Sequence, residues 1–124
     1  MNSLSTIAGD KMSKGLIIKK DNFIPVWAFK LCEWANANEI SDEDFPRNFK
    51  ELSNLKILSI CNSNFTELPK EIGNLSTLTM LYLSDNNFTE LPKEIGQLSN
   101  LTELDISFNN LTELPKEIGN LSKL

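Results

Sequence analysis

Apolar residues recur every 23 residues along the segment 52–124. The blocks 52–74, 75–97 and 98–120 align without insertion or deletion, and residues 121–124 begin a fourth block. Each block carries apolar residues at the same offsets and contains the segment Leu-Pro-Lys-Glu-Ile-Gly near its end. A constant interval of this length predicts stacked turns of one shape, because each turn can bury its apolar side chains only against its neighbours.

The second block predicts how one turn is built. Leu81 and Leu83 are two residues apart and so share one face of a short strand, and Asn86 follows where the chain leaves that strand. Because an asparagine side chain both donates and accepts hydrogen bonds, stacked asparagines can satisfy backbone groups that the turns would otherwise bury unpaired. Pro92 favours an extended or 3₁₀ segment over a central strand, and Gly96 is expected to permit the turn that follows.

A different pattern precedes the repeats. Trp27 and Trp34 share one face of a predicted helix, and residues 45–51 align with the outer half of the first block at a shift of 23. We therefore predict that residues 21–51 form a helical N-terminal cap with a degenerate half repeat, in which both tryptophans cover the end of the apolar interior. Residues 1–20, with four lysines and one aspartate, are predicted to be a flexible basic arm.

The strand pattern of the blocks, followed by Leu-Pro-x-x-Ile-Gly-x-Leu, resembles the 23-residue typical leucine-rich repeat of Ras-suppressor-like and small bacterial repeat proteins. The resemblance implies an α/β fold, a right-handed solenoid with parallel β-strands on its concave face and a capping helix at its N-terminal end. One position departs from it: Ser63 stands where the other two blocks have Asn86 and Asn109. Serine has a shorter reach than asparagine, so we expect the first turn to use Asn62 or Asn64 instead.

The chain lacks the residues that most enzymes and metal sites need. It contains no histidine and no glycine-rich phosphate loop, and its two cysteines, Cys32 and Cys61, have a spacing that fits neither a metal site nor a redox motif. Asp85, Glu103 and Asp105 do not follow the ligand spacing of a calcium-binding loop. We therefore expect no catalytic residue, no cofactor and no metal ion.

Net charge and hydropathy limit the partners and the compartment. The formal net charge of −5 disfavours nucleic acid and anionic membranes, because both are themselves negatively charged. No apolar run approaches the length of a signal-peptide core, or the roughly 20 residues of a membrane-spanning helix. We expect a cytoplasmic protein, and a secreted effector is the alternative.

Variation between the blocks indicates a candidate binding surface. The segment Thr-Glu-Leu-Pro-Lys-Glu-Ile-Gly is unchanged in all three blocks, whereas the outward positions of the predicted strands differ. Ile57, Met80 and Tyr82 are expected to form one apolar patch, because neighbouring strands lie about 4.8 Å apart. The residues predicted to bind a partner are Ile57, Met80, Tyr82, Asp85, Glu103, Asp105 and Phe108.

These features favour a non-enzymatic protein-binding module that acts through the concave face of the solenoid. The resemblance implies the same function, because members of this family usually bind through that face. The alternative is a structural scaffold, or a truncated fragment of a larger leucine-rich-repeat protein, with no activity of its own. The partner protein is unknown. Because no amphipathic cap follows the third block, a homodimer through its C-terminal edge is also predicted.

Overall fold

The computed structural model describes residues 24–124, so the predicted arm at 1–20 and the start of the predicted cap lie outside the described residues. Within residues 24–124, two α-helices precede the repeats, and each repeat contributes one short strand and one 3₁₀ helix. In chain order the elements are α1 (Val26–Ala37), α2 (Phe49–Ser53), β1 (Ile57–Ser59), a first 3₁₀ helix (Lys70–Asn74), β2 (Met80–Tyr82), a second 3₁₀ helix (Lys93–Gln97), β3 (Glu103–Asp105) and a third 3₁₀ helix (Lys116–Asn120).

The strands form one parallel sheet in the order β1, β2, β3. Ile57 pairs with Met80 and Met80 pairs with Glu103, so neighbouring strands are always offset by one 23-residue repeat. The constant repeat length is the physical reason, because an insertion in one turn would shift its strand relative to the next. The predicted α/β arrangement with parallel strands is confirmed.

The 3₁₀ helices form a second column that stacks separately from the strands. Each begins directly after a proline, Pro69, Pro92 or Pro115, whose φ lies between −70° and −64°. This agrees with the expected extended or 3₁₀ segment, since proline fixes φ and has no N–H to donate. The apolar interior contains side chains from every repeat, and its fully buried members include Leu58, Ile72, Leu81, Phe88 and Ile95.

Close packing between turns explains the repeated glycine. A Cβ atom on Gly73 would lie 2.6 Å from the backbone oxygen of Glu94, and one on Gly96 would lie 2.6 Å from that of Glu117. Neither glycine has a positive φ, and both lie inside 3₁₀ helices. The turn expected between Ile95 and Leu98 is present, because the Leu98 N–H donates to the backbone oxygen of Ile95 at 3.2 Å, but it requires no positive φ at Gly96. Glycine is needed because the backbone of the next turn occupies the space that a side chain would fill.

Asparagine links each turn to the turn before it. Asn86 is only 5% exposed, and its Oδ1 accepts hydrogen bonds from the backbone N–H groups of Ser63 and Phe65, both at 3.1 Å. Its Nδ2 donates to the backbone oxygens of Ile60 at 2.9 Å and Leu83 at 3.1 Å. One side chain therefore satisfies backbone groups of two successive turns, as buried polar groups require.

The expectation that the first turn uses Asn62 or Asn64 in place of an asparagine at position 63 is wrong. The required hydrogen bonds come from Asn86 of the second turn, because this asparagine reaches back to the preceding turn. Within the described part of the chain no strand precedes β1. A serine at position 63 therefore leaves no backbone groups of an earlier strand without the hydrogen bonds that an asparagine there would supply. Asn62 and Asn64 instead adopt φ values of 57° and 61°, a left-handed conformation that asparagine tolerates.

Helix α1 packs across the first turn. Its buried side chains are Ala28, Leu31 and Ala35. The indole N–H of Trp34 donates to the backbone oxygen of Glu67 at 3.2 Å. The Trp34 ring also meets the rings of Phe45 and Phe65, at centroid distances of 6.0 and 5.9 Å. Because Phe65 belongs to the first repeat, the helix is joined directly to the apolar interior of the repeats.

Arg47 ties the end of α1 to the chain that leads into the repeats. Its Nε donates to Asn36 Oδ1 at 2.8 Å, and its terminal nitrogens donate to the backbone oxygens of Ile40 and Phe45. The guanidinium also lies over the Phe45 ring, 5.9 Å from its centroid. One side chain thus satisfies an acceptor in α1 and two backbone acceptors in the segment 38–48, which has no regular secondary structure.

The segment before β1, predicted to be a half repeat, differs from the later turns in the kind of helix it forms. The first 3₁₀ helix begins at Lys70, so a matching helix one repeat length earlier would begin at Arg47. The chain forms an α-helix there instead, α2, which begins at Phe49. The side chain of Asn48 accepts a hydrogen bond from the backbone N–H of Glu51 at 2.8 Å. This N-cap satisfies a donor that the first turn of an α-helix leaves free, and so it favours the α-helical start.

Candidate protein-binding surface

The outward side chains of the three strands form one surface, which we name the strand face. Its members are Ile57, Ser59, Met80, Tyr82, Glu103 and Asp105. The parallel register places Ile57 directly beside Met80, and the Tyr82 hydroxyl lies 3.3 Å from Met80 Sδ. Ile57 is 53% exposed, while Met80 and Tyr82 are half-buried. The structure therefore brings together the three apolar residues of the candidate patch.

Two carboxylates adjoin this apolar patch on β3. Glu103 pairs with Met80 in the sheet register and accepts a hydrogen bond from the Tyr82 hydroxyl. That hydrogen bond raises the pKa of Tyr82, because ionisation would remove the donor and place a second negative charge beside Glu103. Asp105, which pairs with Tyr82, accepts hydrogen bonds from the Ser107 hydroxyl and backbone N–H, and these lower its pKa. The strand face is thus apolar toward β1 and acidic on β3.

The last two candidate residues, Asp85 and Phe108, follow the ends of β2 and β3. They occupy the same repeat position as Asn62, and the three residues have φ values of 57°, 59° and 55° in chain order. The repeat therefore imposes a left-handed conformation at this position, which suits asparagine and aspartate but not a bulky aromatic residue. The Phe108 side chain is 79% exposed, so burial of its ring does not offset the cost of this backbone conformation.

A further exposed apolar cluster was not predicted. Ile24, Val26 and Phe29 are each more than half exposed at the start of α1 and on its outer side. The signal was present in the sequence, because these residues lie outside the helix face that carries Leu31 and Ala35. The helical pattern in the sequence indicates which residues of α1 are buried, and the apolar residues on its other face have no place in that pattern.

The repeated turns are shared with a known family. The family description "Leucine-rich repeat region" matches residues 13–124. The chain belongs to the leucine-rich-repeat family. Among solved structures it is similar to a leucine-rich-repeat protein of Leptospira interrogans, with 48% sequence identity and a TM-score of 0.56. That match covers 56% of this chain and 18% of the other, so this chain spans a small part of the length of that protein. No curated protein matches this chain.

Further carboxylates and both cysteines of this leucine-rich-repeat chain lie outside the strand face. Within residues 24–124, no group of three or more histidine, cysteine, aspartate or glutamate side chains is arranged to hold a metal ion. Cys32 and Cys61 are free thiols. Burial raises the pKa of Cys32, and the positive charge of Arg47 acts in the opposite direction. A thiol whose pKa is raised supplies less of the reactive thiolate at neutral pH.

The helices that the structure describes are short relative to the thickness of a bilayer. None of those in the described segment, 24–124, combines the length and the apolar character needed to cross a membrane. The longest of them, α1, has 12 residues.

Proposed function

We propose that this leucine-rich-repeat protein is a non-enzymatic protein-binding module and that the strand face is its binding surface. The observation that carries the proposal is the apolar patch of Ile57, Met80 and Tyr82, which joins two neighbouring strands and is partly open to solvent. Methionine and aromatic side chains at the centre of a surface, with charged groups at its margin, are typical of protein interfaces. The family is itself one of interaction modules, which supports the same function.

The other side of the repeats offers little that could select a partner. The segment Thr-Glu-Leu-Pro-Lys-Glu-Ile-Gly occurs in all three repeats, so its exposed side chains recur at the same positions in every turn. The strand-face positions differ from turn to turn, because Ile57, Met80 and Glu103 occupy one column, and Ser59, Tyr82 and Asp105 the next. The strand face therefore offers the greater chemical variety for distinguishing one partner from another.

We also infer that the repeats form a right-handed solenoid, that the strand face is its concave side, and that α1 is its N-terminal cap. A connection between parallel strands of one sheet is right-handed in nearly all proteins, which supports the handedness. The contacts of Trp34 with Phe65 and Glu67 support the capping role. On a concave strand face, one partner segment can contact several strands at once.

A pull-down from extracts of the cells that make this protein tests the proposal. The baits are the unaltered chain, Met80→Ala, Tyr82→Ala and a control, Lys93→Ala, whose side chain is exposed in the second 3₁₀ helix. We expect one or more proteins to be retained by the unaltered chain and by the control. Each strand-face variant should retain about tenfold less of those proteins, which is the loss typical of an interface hot spot. Circular dichroism and melting temperature serve to show that all four baits are folded alike.

The reverse pattern would contradict the proposal. If Lys93→Ala abolished binding while Tyr82→Ala retained it, the binding surface would lie on the side of the 3₁₀ helices. Retention of the same proteins by all four baits would likewise exclude the strand face as the surface that selects them.

A further inference from the structure

We infer that the partner offers an extended segment in which an apolar side chain and an arginine or lysine stand two residues apart. The apolar side chain lies over Ile57 and Met80, and the basic side chain lies over Glu103 and Asp105, so the segment crosses the strands. This inference rests on the proposed function, and it adds the chemical class of the partner and the direction in which it binds.

Charge is distributed unevenly over the strand face. Both of its carboxylates, Glu103 and Asp105, stand on β3, and Asp85 is close to them because its backbone N–H donates to the backbone oxygen of Ser107 at 3.1 Å. The strand-face residues of β1 and β2 are the uncharged Ile57, Ser59, Met80 and Tyr82. Lys56 is exposed directly before β1, two strands away from Glu103. The β3 side therefore attracts a partner's positive charge, while the β1 side does not.

The hydrogen bonds within the chain orient these carboxylates without cancelling their charge. Glu103 accepts from the Tyr82 hydroxyl. Asp105 accepts from the Ser107 hydroxyl at 2.6 Å and from its backbone N–H at 3.0 Å. All three donors are neutral, so a guanidinium or ammonium group from a partner would meet two positioned carboxylates with oxygen lone pairs still available.

The spacing of the strands sets the spacing of the partner's side chains. Neighbouring strands lie about 4.8 Å apart, so the midpoint between β1 and β2 is about 7 Å from β3. In an extended chain, residues i and i+2 point to the same side and are about 6.7 Å apart. An apolar residue over Ile57 and Met80 therefore places the side chain two residues away over Glu103. A segment that ran along a single strand would not reach both regions.

An NMR titration of the ¹⁵N-labelled chain with short synthetic peptides tests the inference. The peptides share serine and glycine flanks and carry Leu-Thr-Arg, Leu-Thr-Glu or Ser-Thr-Arg, and a reversed Arg-Thr-Leu peptide covers the opposite chain direction. We expect at least one arginine–leucine peptide to shift the amide signals of Met80, Tyr82 and Glu103. Its affinity should exceed that of the Leu-Thr-Glu and Ser-Thr-Arg peptides about tenfold, which corresponds to the loss of one good charged or apolar contact.

Matched variants of the protein test how much the carboxylates of β3 contribute to peptide affinity. The double variant Glu103→Gln, Asp105→Asn should bind the arginine and glutamate peptides with equal affinity, while Glu90→Gln, on an exposed position outside the strand face, should keep the tenfold preference. Equal binding of arginine and glutamate peptides by the unaltered chain would overturn the inference and leave the proposed function standing. No shift with any peptide would also overturn it, and the pull-down then decides the proposed function independently.

Discussion

The buried side chain of Asn86 holds two turns together through hydrogen bonds to backbone groups on both. It accepts from two N–H groups of the first turn and donates to carbonyl groups of the first and second turns. Among the polar and charged residues that the structure describes, Asn86 is the one that is buried. Its hydrogen bonds are therefore formed away from competing water, where an unmade hydrogen bond is most destabilising.

Asn86→Ala should lower the free energy of unfolding by about 3 kcal/mol or more, because it leaves several buried backbone groups without partners. Asn87→Ala is the control. Asn87 is exposed, and its side chain makes a single long hydrogen bond of 3.4 Å to Asn64, so a change within about 0.5 kcal/mol is expected. Urea unfolding followed by circular dichroism measures both. Equal stabilities of the two variants would refute this role of Asn86.

At Phe108, in contrast, the residue does not suit the backbone conformation that it adopts. Its φ of 55° is unfavourable for phenylalanine, and its exposed ring gains little from the rest of the chain. Phe108→Asn should therefore raise the free energy of unfolding by about 1 kcal/mol, since asparagine tolerates the left-handed conformation. If Phe108 belongs to the binding surface, the same variant should weaken partner binding.

A second variant separates the ring from the backbone at this position. Phe108→Ala removes the ring but keeps a residue that is strained at positive φ, so it should weaken binding without the gain in stability. Thermal melts and the pull-down measure the two effects. An Asn variant that is less stable than the unaltered chain, or that binds fully, would show that this interpretation of Phe108 is wrong.

At the scale of elements, the 3₁₀ helices stack at a distance that only glycine permits. A Cβ atom on Gly73 would lie 2.6 Å from Glu94 O, whereas one on Gly119 would meet no atom within 4 Å. Gly73→Ala should therefore lower the free energy of unfolding by about 1–3 kcal/mol, the usual effect of overpacking. Gly119→Ala, in the same place of the third repeat, should be close to neutral. Urea titrations of both variants decide this, and equal losses would show that close packing is not the cause.

One partly buried aromatic side chain of α1, Trp34, contacts the first repeat directly. Trp34 contacts Phe45, Phe65 and Glu67, so Trp34→Ala should lower the free energy of unfolding by about 2–3 kcal/mol, less than the loss at a fully buried aromatic site because Trp34 is half-buried. Phe29→Ala, on the exposed side of the same helix, should change it by less than about 0.5 kcal/mol. Circular dichroism melts are the measurement. A Trp34→Ala variant that melts like the unaltered chain would show that α1 does not cover the interior of the repeats.

At the scale of the whole molecule, burial decreases from the second repeat to the third. Leu81 and Leu83 are completely buried, whereas Leu104 and Ile106 at the same positions are half-buried and Leu114 is 48% exposed. Strand β3 also forms one edge of the sheet. Fully burying an aliphatic side chain is worth about 1.5–3 kcal/mol, so covering this end offers a substantial gain in stability.

We therefore predict that the 124-residue chain forms a concentration-dependent homodimer through this edge, with closed two-fold symmetry. Leu114→Glu should shift the equilibrium toward monomer without unfolding the chain, because Leu114 is largely exposed. Analytical ultracentrifugation over micromolar concentrations measures both. A monomer at about 100 μM that also resists heating would exclude the dimer, since mass action raises both the dimeric fraction and the apparent stability of an associating chain with concentration.

The repeat period by itself determined the fold and the neighbours of each strand residue. With turns of equal length, Ile57, Met80 and Glu103 must form one column, and Ser59, Tyr82 and Asp105 another, which is the observed register. The proline after each Leu predicted an extended or 3₁₀ segment, because its fixed φ acts locally, and a 3₁₀ helix follows each of these prolines. These features depend only on chain length and local conformation, which the sequence contains directly.

Only the tertiary structure decided the features that depend on distances between turns. The direction in which Asn86 reaches, the absence of room for a Cβ atom on Gly73 and the hydrogen bond from Tyr82 to Glu103 each join atoms of different repeats. The positive φ of Phe108 is imposed by the shape of the repeat, against the local preference of phenylalanine. A one-dimensional pattern gives the order of the turns but not the separation of their backbones, and that separation sets which side chains meet.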